Sequence, residues 1–253
     1  MLLLEIKNLD KIYSSRLGLN KVQALDSISF SIEQGEYIAV MGESGSGKTT
    51  LLNILATIDR PTSGEVILEG ENILGLKQSQ LSAFRRDNLG FVFQDFNLLD
   101  TLSIEDNIYL PMVLAGESFG DMEERMKALT KRLGIENLLK KYPYEVSGGQ
   151  KQRTAVARAL ITRPKLVLAD EPTGALDSKS SEHLLELFSE IHKGGQTILM
   201  VTHSIKAACH ASRVLFIRDG KIFNQIYRGV NSYEKMYKKI SETLTSLQVG
   251  GEF

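Results

Sequence analysis

Three short, nearly continuous apolar runs mark the chain: Y-I-A-V-M at 37–41, L-V-L-A at 166–169 and T-I-L-M-V at 197–201. Each is bounded by polar or turn residues, which predicts strands covered on both faces. Elsewhere apolar and polar positions alternate. Residues 2–9 do so in part, and 22–32 clearly, with Ile28, Phe30 and Ile32 on one side; these read as half-covered strands. Turns are expected at 33–36, 61–64 and 70–72, with a short strand at 65–68 between the last two. Helical spacing follows at 50–58, 81–88 and 180–192. Residues 89–94 read as a strand ending on Gln94. From about 95 to 160 strand signals fade, and 104–115, 122–133 and 135–140 read as helices, a helical insert in an α/β core. A helix running roughly 150–162 follows. Residues 213–222 predict a closing hairpin around Asp219-Gly220. Strands alternating with helices give an α/β fold with a largely parallel sheet. Beyond about residue 229, Tyr233, Met236, Tyr237 and Ile240 stand at helical spacing, predicting a short amphipathic helix with a packing face.

Composition changes this picture little. Thirty basic and 31 acidic residues leave a net charge of −1, so no nucleic-acid partner is expected. Cys209 is the single cysteine; it excludes an intramolecular disulfide and fits a reducing compartment. No apolar run approaches the roughly 18 residues of a membrane span, and the N-terminus lacks a basic leader. A soluble chain is expected; if it works at a membrane, it works through a partner. There is no internal repeat or low-complexity linker.

Chemistry enters at the end of the first apolar run. Gly42, Glu43, Ser44, Gly45, Ser46, Gly47, Lys48 and Thr49, followed by Thr50, have the spacing G-x-x-x-x-G-K-[ST] between a strand and a helix. That is the context of a loop that cradles phosphates. Glycines turn the backbone so that N–H groups face inward, and the helix N-terminus adds partial positive charge. Lys48 is then expected on the β- and γ-phosphates, and the Thr49 hydroxyl on Mg²⁺. A plain Gly/Ser turn does not explain a Lys and a Thr at these two positions.

Four further features narrow the class. Asp170 and Glu171 close the second apolar run; a strand-end acid can hold Mg²⁺, and the next acid can polarise an attacking water. Ser147, Gly148, Gly149 and Gln150 enter a helix and form a second anion-binding geometry. An ordinary Ser cap would account for Ser147 alone, but less well for the glycines, Gln150 and the Lys151-Gln152-Arg153 that follow. Gln94 ends a strand where an amide could touch Mg²⁺ or the water. His203 follows the third apolar run, and ligands of open α/β sheets bind at such strand ends.

Together these motifs resemble the ATPase subunit of an ATP-binding-cassette (ABC) transporter. The resemblance covers roughly residues 4–221: Walker A from Gly42 to Thr49, the glutamine loop at Gln94, the signature V-S-G-G-Q ending at Gln150, Walker B L-V-L-A-D-E, the D-loop at Asp177 and the switch His203. Val146 replaces the commoner leucine of the signature. The resemblance implies a P-loop NTPase cassette with a mostly parallel core sheet, antiparallel N-terminal strands and a helical subdomain. It implies an ATPase domain over 1–228, with the helical subdomain at about 95–160, and a tail over 229–253. It further implies ATP and Mg²⁺ as ligands, Tyr13 as the aromatic stacking on adenine, and Asp177 among the nucleotide-binding residues. Thr49, Gln94 and Asp170 are implied on the metal, with Glu171, His203 and Gln94 in catalysis. Two cassettes of this family pack head to tail, so that Ser147, Gly148, Gly149 and Gln150 of one chain close on the γ-phosphate held by the other.

Within the family, L-A-D-E-P-T-G-A-L-D resembles the branch of macrolide exporters, lipoprotein-release ATPases and the cell-division ATPase. The stretch F-Q-D-F-N-L-L-D-T-L-S at 93–103, with Asn107-Ile108 and Leu110-Pro111, is similar to the bacitracin-type peptide-resistance transporters. That similarity implies a transmembrane permease as partner, a place on the inner face of the cell membrane and, in that group, often a sensor histidine kinase. Lipoprotein release, macrolide export, cell division and amino-acid uptake are the alternative tasks. A ribosome- or DNA-acting cassette protein is expected to carry two cassettes, long coiled coils or zinc modules, which this chain lacks.

Overall fold

A computed structural model of the chain describes residues 1–14 and 21–249. In chain order the strands and helices are β1 (Leu2–Ser14), β2 (Lys21–Glu33), β3 (Tyr37–Met41), α1 (Lys48–Leu55), β4 (Ser63–Leu68), β5 (Glu71–Asn72), α2 (Gln78–Asn88), β6 (Leu89–Val92), α3 (Ile104–Ala115), α4 (Phe119–Leu133), α5 (Gly148–Leu160), β7 (Leu166–Asp170), α6 (Ser178–Lys193), β8 (Thr197–Val201), α7 (Ile205–Ala208), β9 (Arg213–Arg218), β10 (Lys221–Tyr227) and α8 (Tyr233–Val249). The chain divides into two compact units, 1–77 with 192–253, and 78–191.

In the first unit, β3 lies between β8 and β9 and is parallel to both, while β10 pairs antiparallel with β9. Every residue of β3 and β8 is buried, as expected of parallel strands covered on both faces. A second, antiparallel sheet runs β2-β1-β4-β5. Its β1 and β2 bury Leu3, Leu4, Ile6, Leu9, Leu25, Ile28 and Ile32, and shifts in the β1–β2 register break strict alternation. These match the antiparallel N-terminal strands that the resemblance implies, and the sheet around β3 matches its mostly parallel core.

Helix α8 buries Met236, Ile240, Thr243 and Leu247, positions spaced 4, 3 and 4 apart, one stripe of a 3.6-residue helix. Tyr233 and Tyr237 of the anticipated stripe stay half exposed at its margin. The last four residues of the expected tail, 250–253, lie outside the described residues.

In the second unit, β6 and β7 are parallel, and α5 packs on β6, α3 and α4. Helix α4 buries Met122, Met126, Thr130 and Leu133; Ser118 caps its start, accepting from Asp121 N, and Gly134 ends it. Helix α3 starts the same way, with Ser103 Oγ accepting from Asp106 N at 3.1 Å.

The helix expected at 135–140 is only a 3₁₀ turn, Glu136–Leu138. Six residues are too few to offset helix nucleation, and their carbonyls have another use. Leu139 O and Lys141 O accept from Glu105 N and Ile104 N, orphan donors of the α3 start. Helix α5 begins at Gly148 rather than near 150, and α1 at Lys48 rather than Thr50.

Residues 95–103, which lead into α3, have no regular structure, and one buried side chain holds the part from Leu99 to Ser103. Asn107 is fully buried. It accepts from Leu99 N at 2.8 Å, and its amide nitrogen faces the carbonyls of Leu99, Leu102 and Ser103 at 2.9–3.1 Å. Asn107→Leu keeps the branched side-chain skeleton and strands these groups in an apolar setting. We expect it to lower stability by about 2–3 kcal/mol, a Tm drop on the order of 5–10 °C, measurable by thermal unfolding. A change under ~1 °C would remove Asn107 as the pin of this segment.

Candidate functional site

The glycine loop is shaped around a cation. Lys48 is only 9% exposed, and its ammonium donates back into the loop, to Gly42 O at 3.0 Å and Glu43 O at 2.6 Å, with Ser46 Oγ at 3.5 Å. A buried ammonium persists only with such partners. Gly47 caps α1 at φ +105° and gives it no side-chain bond; a Cβ there would stand 2.3 Å from Ala24 O. The first N–H groups of α1 thus meet no capping side chain, and no acid lies in its first turn. A near-buried ammonium beside a helix start without a side-chain cap fits a polyphosphate. Thr49, exposed in that first turn, offers a hydroxyl of the hard-oxygen kind that Mg²⁺ prefers. Beside the loop a cavity of about 320 Å³ is lined by residues 43–46, 217–219 and Leu247.

His203 belongs to the same unit. It follows β8, the parallel neighbour of β3, and Thr202 N donates to Val40 O at 3.1 Å. Both strands therefore deliver their C-terminal residues to one edge of the sheet, and His203 is exposed there. Tyr13, near the end of β1, is 42% exposed. Its hydroxyl donates to Asp59 Oδ2 at 2.7 Å, while Lys11 Nζ sits 4.7 Å from the ring centroid and 2.7 Å from Asp59 Oδ1. Burial works against the Asp59 carboxylate, yet hydrogen bonds from Lys11 and Tyr13 outweigh it and hold the carboxyl below its ordinary range. The ring is thus fixed at its edge and on one face. The period of two along β1 places Lys11 beside Tyr13; Asp59, 46 residues away, has no such signal.

The remaining predicted residues lie in the second unit. Asp170, the last residue of β7, is half-buried after four buried apolar residues. Glu171 follows with φ +44°, a left-handed backbone that costs a non-glycine residue about 1–2 kcal/mol. A turn holds it there: Gly174 N donates to Glu171 O at 2.9 Å. Gln94 lies directly against Gly174: a Cβ there would come within 2.8 Å of Gln94 Cδ. Gln94 is thus packed against the Glu171 turn.

Ser147 and Gln150 form a reciprocal cap on α5. Ser147 Oγ accepts from Gln150 N at 3.4 Å, and Ser147 N donates to Gln150 Oε1 at 2.9 Å. The Ser147 hydroxyl proton is not used by this cap, so Ser147 can cap its helix and still donate to an anion. Gly148 and Gly149 form the first turn of α5. Asp177 accepts from Ser180 N at 2.9 Å and Ser180 Oγ at 2.6 Å at the start of α6; these bonds keep its carboxyl below the ordinary range.

Two further residues of α5 hold this region. Gln152, 0% exposed, donates from Nε2 to Phe93 O at 3.0 Å and Pro172 O at 2.7 Å. Arg158 donates to Phe96 O at 2.9 Å and to Asn97 O. Phe96 and Asn97 both have positive φ, and burial lowers the Arg158 pKa. By sequence Gln152 belongs to the polar run Lys151-Gln152-Arg153 that follows the second anion-binding geometry. Only its place on the inner side of α5 sets it apart.

A family model described as "ABC transporter" matches residues 25–174. The ABC transporter ATP-binding protein YxdL of Bacillus subtilis (strain 168) is 53% identical over 246 residues, 97% of this chain and 94% of that protein. The bacitracin export ATP-binding protein BceA of Halalkalibacterium halodurans is 45% identical over 96% of each chain. Among solved structures, the ATP-binding cassette MJ0796, a dimer in a post-hydrolysis state bound to ADP and Pi, superposes with a TM-score of 0.80. It is 36% identical, covering 88% of this chain and 98% of that one.

Proposed function

This chain belongs to the ABC transporter ATPase family, and we propose that it powers a membrane permease that removes or senses peptide antibiotics. It is an ATPase that uses ATP with Mg²⁺, and cassettes of this family dimerise and pair with membrane permeases. No helix among the described residues is long and apolar enough to cross a membrane, so work on a membrane substrate passes through the permease.

The proposed division of labour follows from the side chains. Lys48 and the α1 N-terminus hold the β- and γ-phosphates, and Tyr13 stacks on adenine. Glu43, Ser44, Gly45, Ser46, Gly47 and Thr50 complete the cradle. Thr49, Gln94 and Asp170 hold Mg²⁺, which offsets phosphate charge when bound. Glu171 accepts a proton from water as the water oxygen attacks the γ-phosphorus and ADP leaves with the bridging oxygen. His203 donates to the γ-phosphate. Ser147, Gly148, Gly149, Gln150 and Asp177 serve the nucleotide held by a second copy, packed head to tail. Placement on the inner face of the cell membrane, through the permease, belongs to this reading, and so does a sensor histidine kinase reached by the same route.

The peptide-antibiotic assignment is carried by the 45% identity, end to end, with a bacitracin export ATP-binding protein. Deleting the gene should lower the inhibitory concentration of at least one peptide antibiotic in a panel that includes bacitracin, and the parent gene should restore it. An unchanged panel, with a shift for macrolides instead, would move the chain to the macrolide-export task.

A further inference from the structure

Within the second unit, one carboxamide bridges the two segments that carry Glu171 and Gln94. The Gln152 Nε2 has two protons and two acceptors: Phe93 O, next to Gln94, and Pro172 O, next to Glu171. Gln152 is fully buried, and its Oε1 has no hydrogen-bond partner among the described residues. The unpaired acceptor costs stability, and the two bonds made by Nε2 offset that cost. The Nε2 end grips the carbonyl immediately after a left-handed glutamate. Gln152 also lies two residues beyond Gln150 on the same helix, so any seating of the α5 start against a neighbour is carried rigidly to both carbonyls. Six residues on, Arg158 holds the chain past Gln94 at Phe96 and Asn97. Helix α5 is therefore fastened to the Gln94 segment at two points and to the Glu171 turn at one.

We propose that Gln152 is a positioning residue for hydrolysis: it fixes the Glu171 turn, and Gln94 beside it, to the signature helix, so that the Glu171 carboxylate is aimed when α5 is seated on a partner. Its action passes through Glu171, and the inference rests on the reading of Glu171 as the base. It accounts for chemistry that depends on a contact made by Ser147 and Gln150 rather than on ATP binding alone.

The test uses the full chain with Gln152→Met, which keeps length and flexibility and removes both donors. Single-turnover ATP hydrolysis and ATP affinity are measured in the parent, Gln152→Met, Glu171→Gln and the double variant. We expect Gln152→Met to lose at least tenfold in rate with affinity within about twofold of the parent. In the double variant the Gln152 change should cost less than about twofold beyond Glu171→Gln, the non-additivity of residues acting as one unit. A parent rate in Gln152→Met, or a full repeat of its loss in the Glu171→Gln background, overturns the proposal. If Gln152→Met does not fold, Gln152→Asn, a shorter amide, must show the same rate-only loss, and a parent rate in it overturns the proposal equally. Glu171→Gln at the parent rate would remove the base itself; a silent Gln152→Met beside an inactive Glu171→Gln removes only the brace.

Discussion

Glu171→Gln is expected to bind ATP as the parent does and to hydrolyse it roughly 10²–10⁴ times more slowly, the usual contribution of a positioned general base. The change is isosteric, so the Glu171–Gly174 turn and the packing of Gln94 against Gly174 are kept. What is lost is an oxygen that can accept a proton from water. The left-handed backbone at Glu171 supports the role, because strain of this kind persists where surrounding contacts over-determine it. Gln152 and the turn supply those contacts. Phosphate release under saturating ATP gives the rate, and a binding isotherm gives the affinity. Stalled hydrolysis should also trap the two-cassette form, seen as a species of twice the mass in ATP and of single mass in ADP. Hydrolysis at the parent rate would move the base to another residue.

Lys48→Ala is expected to weaken ATP binding on the order of 10²-fold. The ammonium now sits on two loop carbonyls; with ATP it exchanges them for phosphate oxygens, a charge-assisted contact worth about 1.5–3 kcal/mol. A loss of about 3 kcal/mol corresponds to that fold-change. The Gly42 O and Glu43 O contacts belong to the free protein, so their loss in the variant partly offsets the binding loss and does not add to it. Lys48→Arg should not restore binding, since a planar guanidinium does not fit where a compact ammonium is enclosed. Equilibrium binding of a fluorescent ATP analogue reads the effect, and an unchanged Kd would exclude Lys48 from the phosphate site.

These two residues were legible without coordinates because their chemistry is tied to local chain geometry. A strand, a glycine loop and a helix start are consecutive in the sequence, so the spacing around Lys48 already says what the loop can hold. Glu171 is similar: an acid closing a buried apolar strand is visible as a break in hydrophobicity. The buried runs of β3, β7 and β8 were read with their observed ends, since a run apolar on both faces has sharp edges. Boundaries failed where a tertiary partner took over the backbone. Residues 135–140 look helical by spacing, but Leu139 O and Lys141 O serve the start of α3. The Ser147–Gln150 cap pulls the start of α5 back to Gly148.

The supporting residues were silent for a different reason. Asn107, Asp59 and Gln152 carry no chemistry of their own; each is a polar group whose meaning depends on which distant carbonyl or hydroxyl it meets. Asn107 enters the sequence reading only through a resemblance, and in the fold it holds the chain from Leu99 to Ser103. Asp59 anchors Tyr13 across 46 residues, and Gln152 joins Phe93 to Pro172 across 79. Residue order and type thus sufficed to locate the glycine loop and the strand-end acids and to identify the family, because those depend on neighbours along the chain. The fixing of Tyr13, Gln94 and Glu171 needed the fold, because a buried hydrogen bond is specified by distance in space and leaves no period or spacing in the sequence.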